Sequence, residues 1–269
     1  DFEYHVTAAV LNLRRAGFRF DITSSLLYVD RRGAPENRQA GFDTVAKVTL
    51  LKAIAETARN SSGRCWLTEV NWPLWEGPHS PAGRAVAVDE ATQADYLARY
   101  FLLTLGTGLV ERTFWWQLVA RGYGLVDPAE RCRPRRRPSF FALRQLVRAL
   151  EGATLLGVLA APPGVRLYHF RRGGDAGGGA GEGGGGGADG GASASGGVGE
   201  GGGSGEELVV GWTAGGEARA RLPRAVRRVE GRNGEELAGG GGAGGGTAGA
   251  AAREVLLTPS PRYFRLVEE

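Results

Sequence analysis

The chain has 269 residues, 42% hydrophobic and 23% charged, with a net charge of +4 and 46 glycines gathered mainly into two tracts near the C-terminus. This is an ordinary globular composition with room for one large domain or two modest ones. No apolar run is long enough to cross a bilayer, and Cys65 and Cys132 lack CxxC or Cys/His spacing, so neither a membrane span, a zinc site nor a disulfide framework is expected, while a single bridge stays open.

The opening Asp1-Phe2-Glu3-Tyr4-His5 lacks an initiator Met, and none occurs anywhere in the chain. It reads as entry into the middle of a longer protein, which leaves the compartment open. A helix is expected over Val6–Arg15, following a strand that lies upstream. From Phe18 to Glu151, short β-prone runs then alternate with longer helical ones, the signature of βα units and a parallel sheet. The first unit pairs Phe18–Val29 with a helix from about Phe42 to Arg59, where Val45, Val48, Leu51 and Ala55 form an apolar stripe. The second pairs Arg64–Val70 with a helix from about Asp89 to Leu105. Asp89 caps it, Glu90 suits its positive end, and Tyr96, Leu97, Tyr100 and Leu103 face the sheet. The third pairs Val110–Leu118 with a helix from about Ser139 to Leu150, introduced by Pro138. A (β/α)8 barrel needs eight units and about 250 residues, so residues 1–151 are expected to be the C-terminal half of one, unable to close alone.

Between the last strand and helix of this region lies the arginine run 131–137, interrupted by Cys132 and Pro134. Such a run can grip phosphates by releasing counterions, but a solvated loop is its commoner fate. No aromatic platform accompanies it, so no nucleic-acid partner is expected.

Beyond Gly152 the pattern changes to short strands: Thr154–Leu159, Val165–Phe170, Glu207–Trp212, Ala218–Leu222, Val226–Val229, Glu254–Leu257 and Arg262–Val267. They predict a small antiparallel β-sandwich over 152–269. The tracts 173–205 and 239–250 are nearly pure Gly and Ala and cannot bury enough apolar surface to offset backbone ordering, so they are expected to be disordered loop insertions. No Lys-Ser/Thr follows them as a phosphate-cradling loop would require.

Catalytic side chains in a parallel barrel sit at the C-terminal ends of strands. Glu69 ends the apolar run Cys65-Trp66-Leu67 and precedes a Trp- and Pro-rich loop. From position alone it is as readily a buried structural carboxylate as a catalytic one. Trp66-Leu67-Thr68-Glu69-Val70-Asn71-Trp72, however, resembles the strand-seven signature of clan A glycoside hydrolases. The stretch Phe20-Asp21-Ile22-Thr23-Ser24-Ser25-Leu26-Leu27-Tyr28 is similar to strand six, and Phe114-Trp115-Trp116-Gln117 to strand eight. Gly122-Tyr123-Gly124-Leu125-Val126-Asp127 and Arg137-Pro138-Ser139-Phe140 resemble the return into the last barrel helix.

The resemblance, covering about Phe18 to Leu150, implies a retaining glycosidase acting on a carbohydrate without metal or organic cofactor. Glu69 would be the nucleophile, and Tyr28 would donate the hydrogen bond that orients it. Trp116 or Trp115 would be the platform under the sugar ring. Because side chains alternate along a strand, only one of the two should face the site, with Trp116 favoured. Asn71, Trp72 and His79 are further candidates to contact substrate.

Two departures from the clan stand out. Leu26 occupies a position where many members carry His, and no Asn-Glu pair is found for the acid/base. Glu111 is expected to point to the wrong face, while Glu76 and Asp127 lie in loops and Glu3 lacks context, so the acid/base is expected upstream and this chain alone is expected to be inactive. His5 would lie at the end of a fifth strand near residues 1–4, His169 has no partner pattern, and Trp212 and Tyr263 are expected in the β-domain core. The alternative to an enzyme is a carbohydrate-binding or scaffold protein that kept the barrel and lost catalysis.

Overall fold

The structure, a computed structural model, describes residues 2–29, 33–75, 86–128, 133–173, 205–238 and 253–267, without the side chains of 2–6. Helix α1 spans Phe2–Arg15. This replaces the strand end expected near residues 1–4 and leaves His5 in a helix. Strands β1 (Phe20–Leu26), β2 (Ser61–Val70) and β3 (Arg112–Trp115) then form a three-stranded parallel sheet in the order β1-β2-β3. It is open, and no sheet among the described residues closes into a barrel.

The helices between these strands begin where short polar side chains satisfy free backbone donors. Asp43 accepts from the Ala46 N–H at 2.9 Å ahead of α2 (Thr44–Ala58), and Asp89 from the Thr92 N–H at 2.6 Å ahead of α3 (Glu90–Leu105). Pro138 opens α4 (Pro138–Leu150), where its missing N–H costs nothing. Val48, Leu51 and Ala55 of α2 and Leu97, Tyr100 and Leu103 of α3 share one core with Cys65 and Leu67 of β2, so the helices cover one face of the sheet. Strands β4 (Val126–Asp127) and β5 (Arg135–Arg136) form a small ribbon before α4.

Strands β6 (Ala153–Val158), β7 (Val165–Arg172), β8 (Glu206–Thr213), β10 (Val226–Glu230) and β12 (Arg262–Leu266) make a five-stranded antiparallel sheet in the order β10-β12-β8-β7-β6. The ribbon of β9 (Ala218–Arg221) and β11 (Glu254–Leu257) joins one face of it in a core that includes Val165, Leu167, Val209, Val255 and Leu257. On the opposite face Tyr168, Phe170, Val210, Trp212 and Tyr263 join the core shared by α3 and α4. Trp212 and Tyr263 are fully buried there. The boundary expected at 151/152 is thus a change of architecture, from βα units to antiparallel strands, and the core runs across it. The Gly-rich segments 174–204 and 239–252 lie outside the described residues.

A buried ion pair ties the two parts together. Arg99 of α3, 2% exposed, donates through Nε and Nη2 to Glu36, which also accepts from the Trp212 indole at 2.7 Å. Removing one member of such a pair strands a buried charge, which costs about 3–5 kcal/mol. Glu36→Ala is accordingly expected to lower the unfolding free energy by about that amount in urea titration, with Arg99 and the Trp212 N–H both left unsatisfied.

Candidate active site

Burial alternates along β2 with Cys65 and Leu67 facing the helices and Ser62, Arg64, Trp66 and Thr68 facing outward. The phase then slips: Val70, not Glu69, is the next fully buried residue. The pairing records the same irregularity, a register shift between Ser25/Leu26 against β1 and between Leu67/Val70 against β3. A bulge adds one residue to a strand and re-aims its side chain. Here it brings Glu69 to the outward face together with Thr68.

On β1 the same face carries Ser24, Leu26 and Tyr28, while Thr23, Ser25, Leu27 and Val29 are buried. Leu26 lies beside Glu69 in the register. Tyr28, two residues further, donates its hydroxyl to Glu69 Oε1 in a short hydrogen bond. Asn71 Nδ2 donates to the same phenolic oxygen at 3.5 Å. Asn71 itself is buried.

The tandem indoles at the end of β3 separate as alternation requires. Trp116 is 46% exposed on the outward face, and its backbone N–H donates to the Val70 carbonyl at 3.0 Å, holding it next to the end of β2. Its peptide bond to Gln117 is cis. Trp115 turns towards the helices, stacks on Trp72 at 6.1 Å and donates to the Tyr123 carbonyl at 3.3 Å. Trp72 is fully buried, edge-on to Tyr96 and Tyr100, and donates to the Gly33 carbonyl at 3.0 Å. Trp72, expected against substrate, is therefore packed beneath the outward face, and Trp115 packs towards the helices as expected of the indole that does not face the site. His79 and Glu76 lie outside the described residues.

Glu111 corrects another expectation. Its carboxylate reaches the outward face, where Arg64 grips it through two bonds of 2.8 and 2.9 Å and the Trp66 indole donates at 3.1 Å. Arg112 stacks over the Trp66 ring at 5.0 Å, and Phe114 lies 5.8 Å from it. This cluster sits at the level of Arg64 and Trp66, several residues along β2 from Glu69. Asp127 faces Arg135 at 3.4 Å and Arg137 at 3.0 Å.

Arg137, expected in a solvated loop, is 3% exposed. It donates to the Ala120 and Gly124 carbonyls at 2.8 and 2.7 Å and to Glu90 at 3.1 Å, anchoring the loop beyond β3. Arg135 holds Glu90 from the other side, and its hydrogen bond, ahead of every other influence, keeps the Glu90 carboxyl below the usual carboxylate range. These residues, with Leu74, Trp75, Val88 and Asp89, line a cleft of about 610 Å³ that none of Glu69, Tyr28 and Trp116 lines. We place the site at Glu69, since chemistry requires converging reactive groups and the charges of that cleft are committed to each other. Among the described residues no group of three or more His, Cys, Asp or Glu side chains is placed to hold a metal. His169 pairs with Glu207 at 3.0 Å within the antiparallel sheet.

Sequence reasoning missed Lys47 and Tyr100, which reach the backbone on either side of Tyr28. Tyr100 was legible as a core position of α3. Nothing in the pattern indicated where its hydroxyl goes.

Hydrogen bonds from Arg64 and then Trp66 hold the Glu111 carboxyl at about 2, against an ordinary 4.5. A carboxylate with a depressed folded pKa contributes stability that is present above its unfolded value and lost as pH falls through its folded one. The chain should therefore keep its full stability advantage over Glu111→Gln above about pH 4.5 and lose it progressively as pH falls towards about 2, so that the two profiles differ in slope within that window. Profiles parallel across that window would contradict the assignment. Comparison with models of known protein families and with curated proteins finds no match to this sequence.

Proposed function

We propose that the chain carries the nucleophile side of a retaining glycosidase site, with Glu69 attacking the anomeric carbon of an O-glycoside. The observation that carries this reading is the Tyr28 hydroxyl donating to Glu69 Oε1 across adjacent parallel strand ends, on the face where Trp116 is exposed. A carboxylate fixed through one oxygen presents the other in a set direction, and positioning of that kind supplies much of the barrier reduction. Oε2 then attacks C1. The C1–O bond to the leaving group breaks as the C1–Oε2 bond forms, and the departing oxygen takes a proton from a second carboxyl group. Water completes the second displacement, releasing Glu69 and leaving the anomeric configuration retained. Trp116 offers an apolar indole face for the C–H face of the sugar.

The mechanism requires a second carboxyl about 5 to 5.5 Å from the first. Glu111 and Asp127 are engaged with arginines, so neither is assigned that role, and the acid/base is supplied by residues other than these. We read β1-β2-β3 as part of a (β/α)8 barrel. A parallel sheet is normally covered on both faces, and here Leu26, Phe114 and Trp116 remain exposed opposite the helices. Further strands across that face would enclose the site.

A binding or scaffold protein is the second reading. Leu26, 50% exposed, takes the place beside Glu69 where a polar contact to sugar is expected. Incubation with 2,4-dinitrophenyl 2-deoxy-2-fluoro glycosides of several hexoses and pentoses separates the two readings, because the activated leaving group departs without acid assistance. Mass spectrometry is expected to find one fluoroglycosyl unit esterified to Glu69 and none in Glu69→Gln. No adduct with any of these sugars, or an adduct elsewhere, would favour binding without turnover.

A further inference from the structure

We propose that Tyr100 and Lys47 are positioning residues that act through the backbone of Tyr28 to set its hydroxyl against Glu69. This rests on the reading of Tyr28 and Glu69 as a working pair. β1 ends at Leu26, the last residue that pairs with β2, so Tyr28 stands beyond the ladder of hydrogen bonds that fixes a strand. A backbone released from a sheet regains conformational freedom, and a hydroxyl on it cannot hold a fixed direction unless something else grips the chain.

Two side chains from two helices do so. Tyr100 of α3, fully buried, donates its hydroxyl to the Leu27 carbonyl at 2.5 Å. Lys47 of α2, 4% exposed, lies with Nζ 3.5 Å from the next carbonyl, that of Tyr28, and 2.8 Å from Gln39 Oε1. The carbonyls on both sides of the Tyr28 α-carbon are thus held from the helical layer, while its side chain faces the opposite way, towards Glu69.

The grip is stiff at its base. The Tyr100 ring packs edge-on against Trp72 at 5.7 Å, and Trp72 donates to the Gly33 carbonyl further along the same connection. Burial pushes the Tyr100 phenol well above its ordinary pKa, which favours the protonated, donating form. Exchange of Tyr100 for Phe removes one oxygen and leaves the ring packing in place.

The test reads the Tyr28 hydroxyl directly and needs no substrate. The chain is labelled with 13C at the tyrosine ζ carbon, and the Tyr28 resonance is assigned by its loss in Tyr28→Phe. Glu69→Gln supplies the reference for a weakened contact. Tyr100→Phe and Lys47→Gln are each expected to move the Tyr28 resonance from the wild-type position towards that reference, with the fold retained.

A Tyr28 resonance unmoved in both folded variants would overturn the inference. One unmoved by Glu69→Gln would overturn both the inference and the pairing beneath it. If Tyr100→Phe does not fold, Lys47→Gln decides. Loss of the fold in both variants would overturn the positioning role, because the two side chains would then be supporting the core. Failure of the glycosidase reading is a separate result, seen as absence of the fluoroglycosyl adduct while the resonance still responds.

Discussion

The site depends on a slip of strand phase in β2 between Leu67 and Val70. With strict alternation from the buried Cys65 and Leu67, Glu69 would point into the helical layer and away from Tyr28. Placing a carboxylate in that apolar core without a charged partner would cost several kcal/mol. The bulge removes this conflict by turning Glu69 outward while Val70 resumes the buried series. The local cost of a disrupted ladder is offset by two things: Val70 and Trp72 return to the core, and Glu69 gains its hydrogen bond from Tyr28.

From that slip follows a division of labour among the aromatic residues. Trp116 remains outside with Glu69, whereas Trp115, Trp72, Tyr96 and Tyr100 form a packed layer beneath. The layer fills space and also directs polar atoms upward: Trp72 Nε1 to Gly33, Tyr100 Oη to Leu27, Trp115 Nε1 to Tyr123. Each of these carbonyls lies in a connection beyond a strand. The apolar core therefore acts on the site through hydrogen bonds to backbone that the sheet has released.

The elements were legible in the sequence because their signals are local. The stripe Val48, Leu51, Ala55 and the cap Asp89 define two helices, and the strands beyond Gly152 appear within a residue or two of their expected limits. Glu69 stood out at a strand end, Tyr28 and Trp116 were implied by the resemblance, and the structure brings all three to one face. What escaped the sequence was decided by long-range packing. The bulge changes no residue type, so a count of alternation through Glu69 gives no sign of it. Trp72 follows the strand like a loop residue, and only the approach of α3 buries it. Arg137 belongs to a run that looks solvated, and its carbonyl partners, Ala120 and Gly124, come from the connection folded against it.

The central claim, that Glu69 is the group that attacks the anomeric carbon, is most directly tested by replacing it with the smallest residue and supplying a nucleophile from solution. Glu69→Gly is expected to lose the release of dinitrophenolate from 2,4-dinitrophenyl glycosides that accompanies glycosylation of Glu69, and to regain release in sodium azide. The product should be a glycosyl azide of inverted anomeric configuration, because azide enters from the side that the carboxylate has vacated. Dinitrophenolate release equal to that of the unchanged chain without azide, or a rescued product of retained configuration, would contradict the assignment.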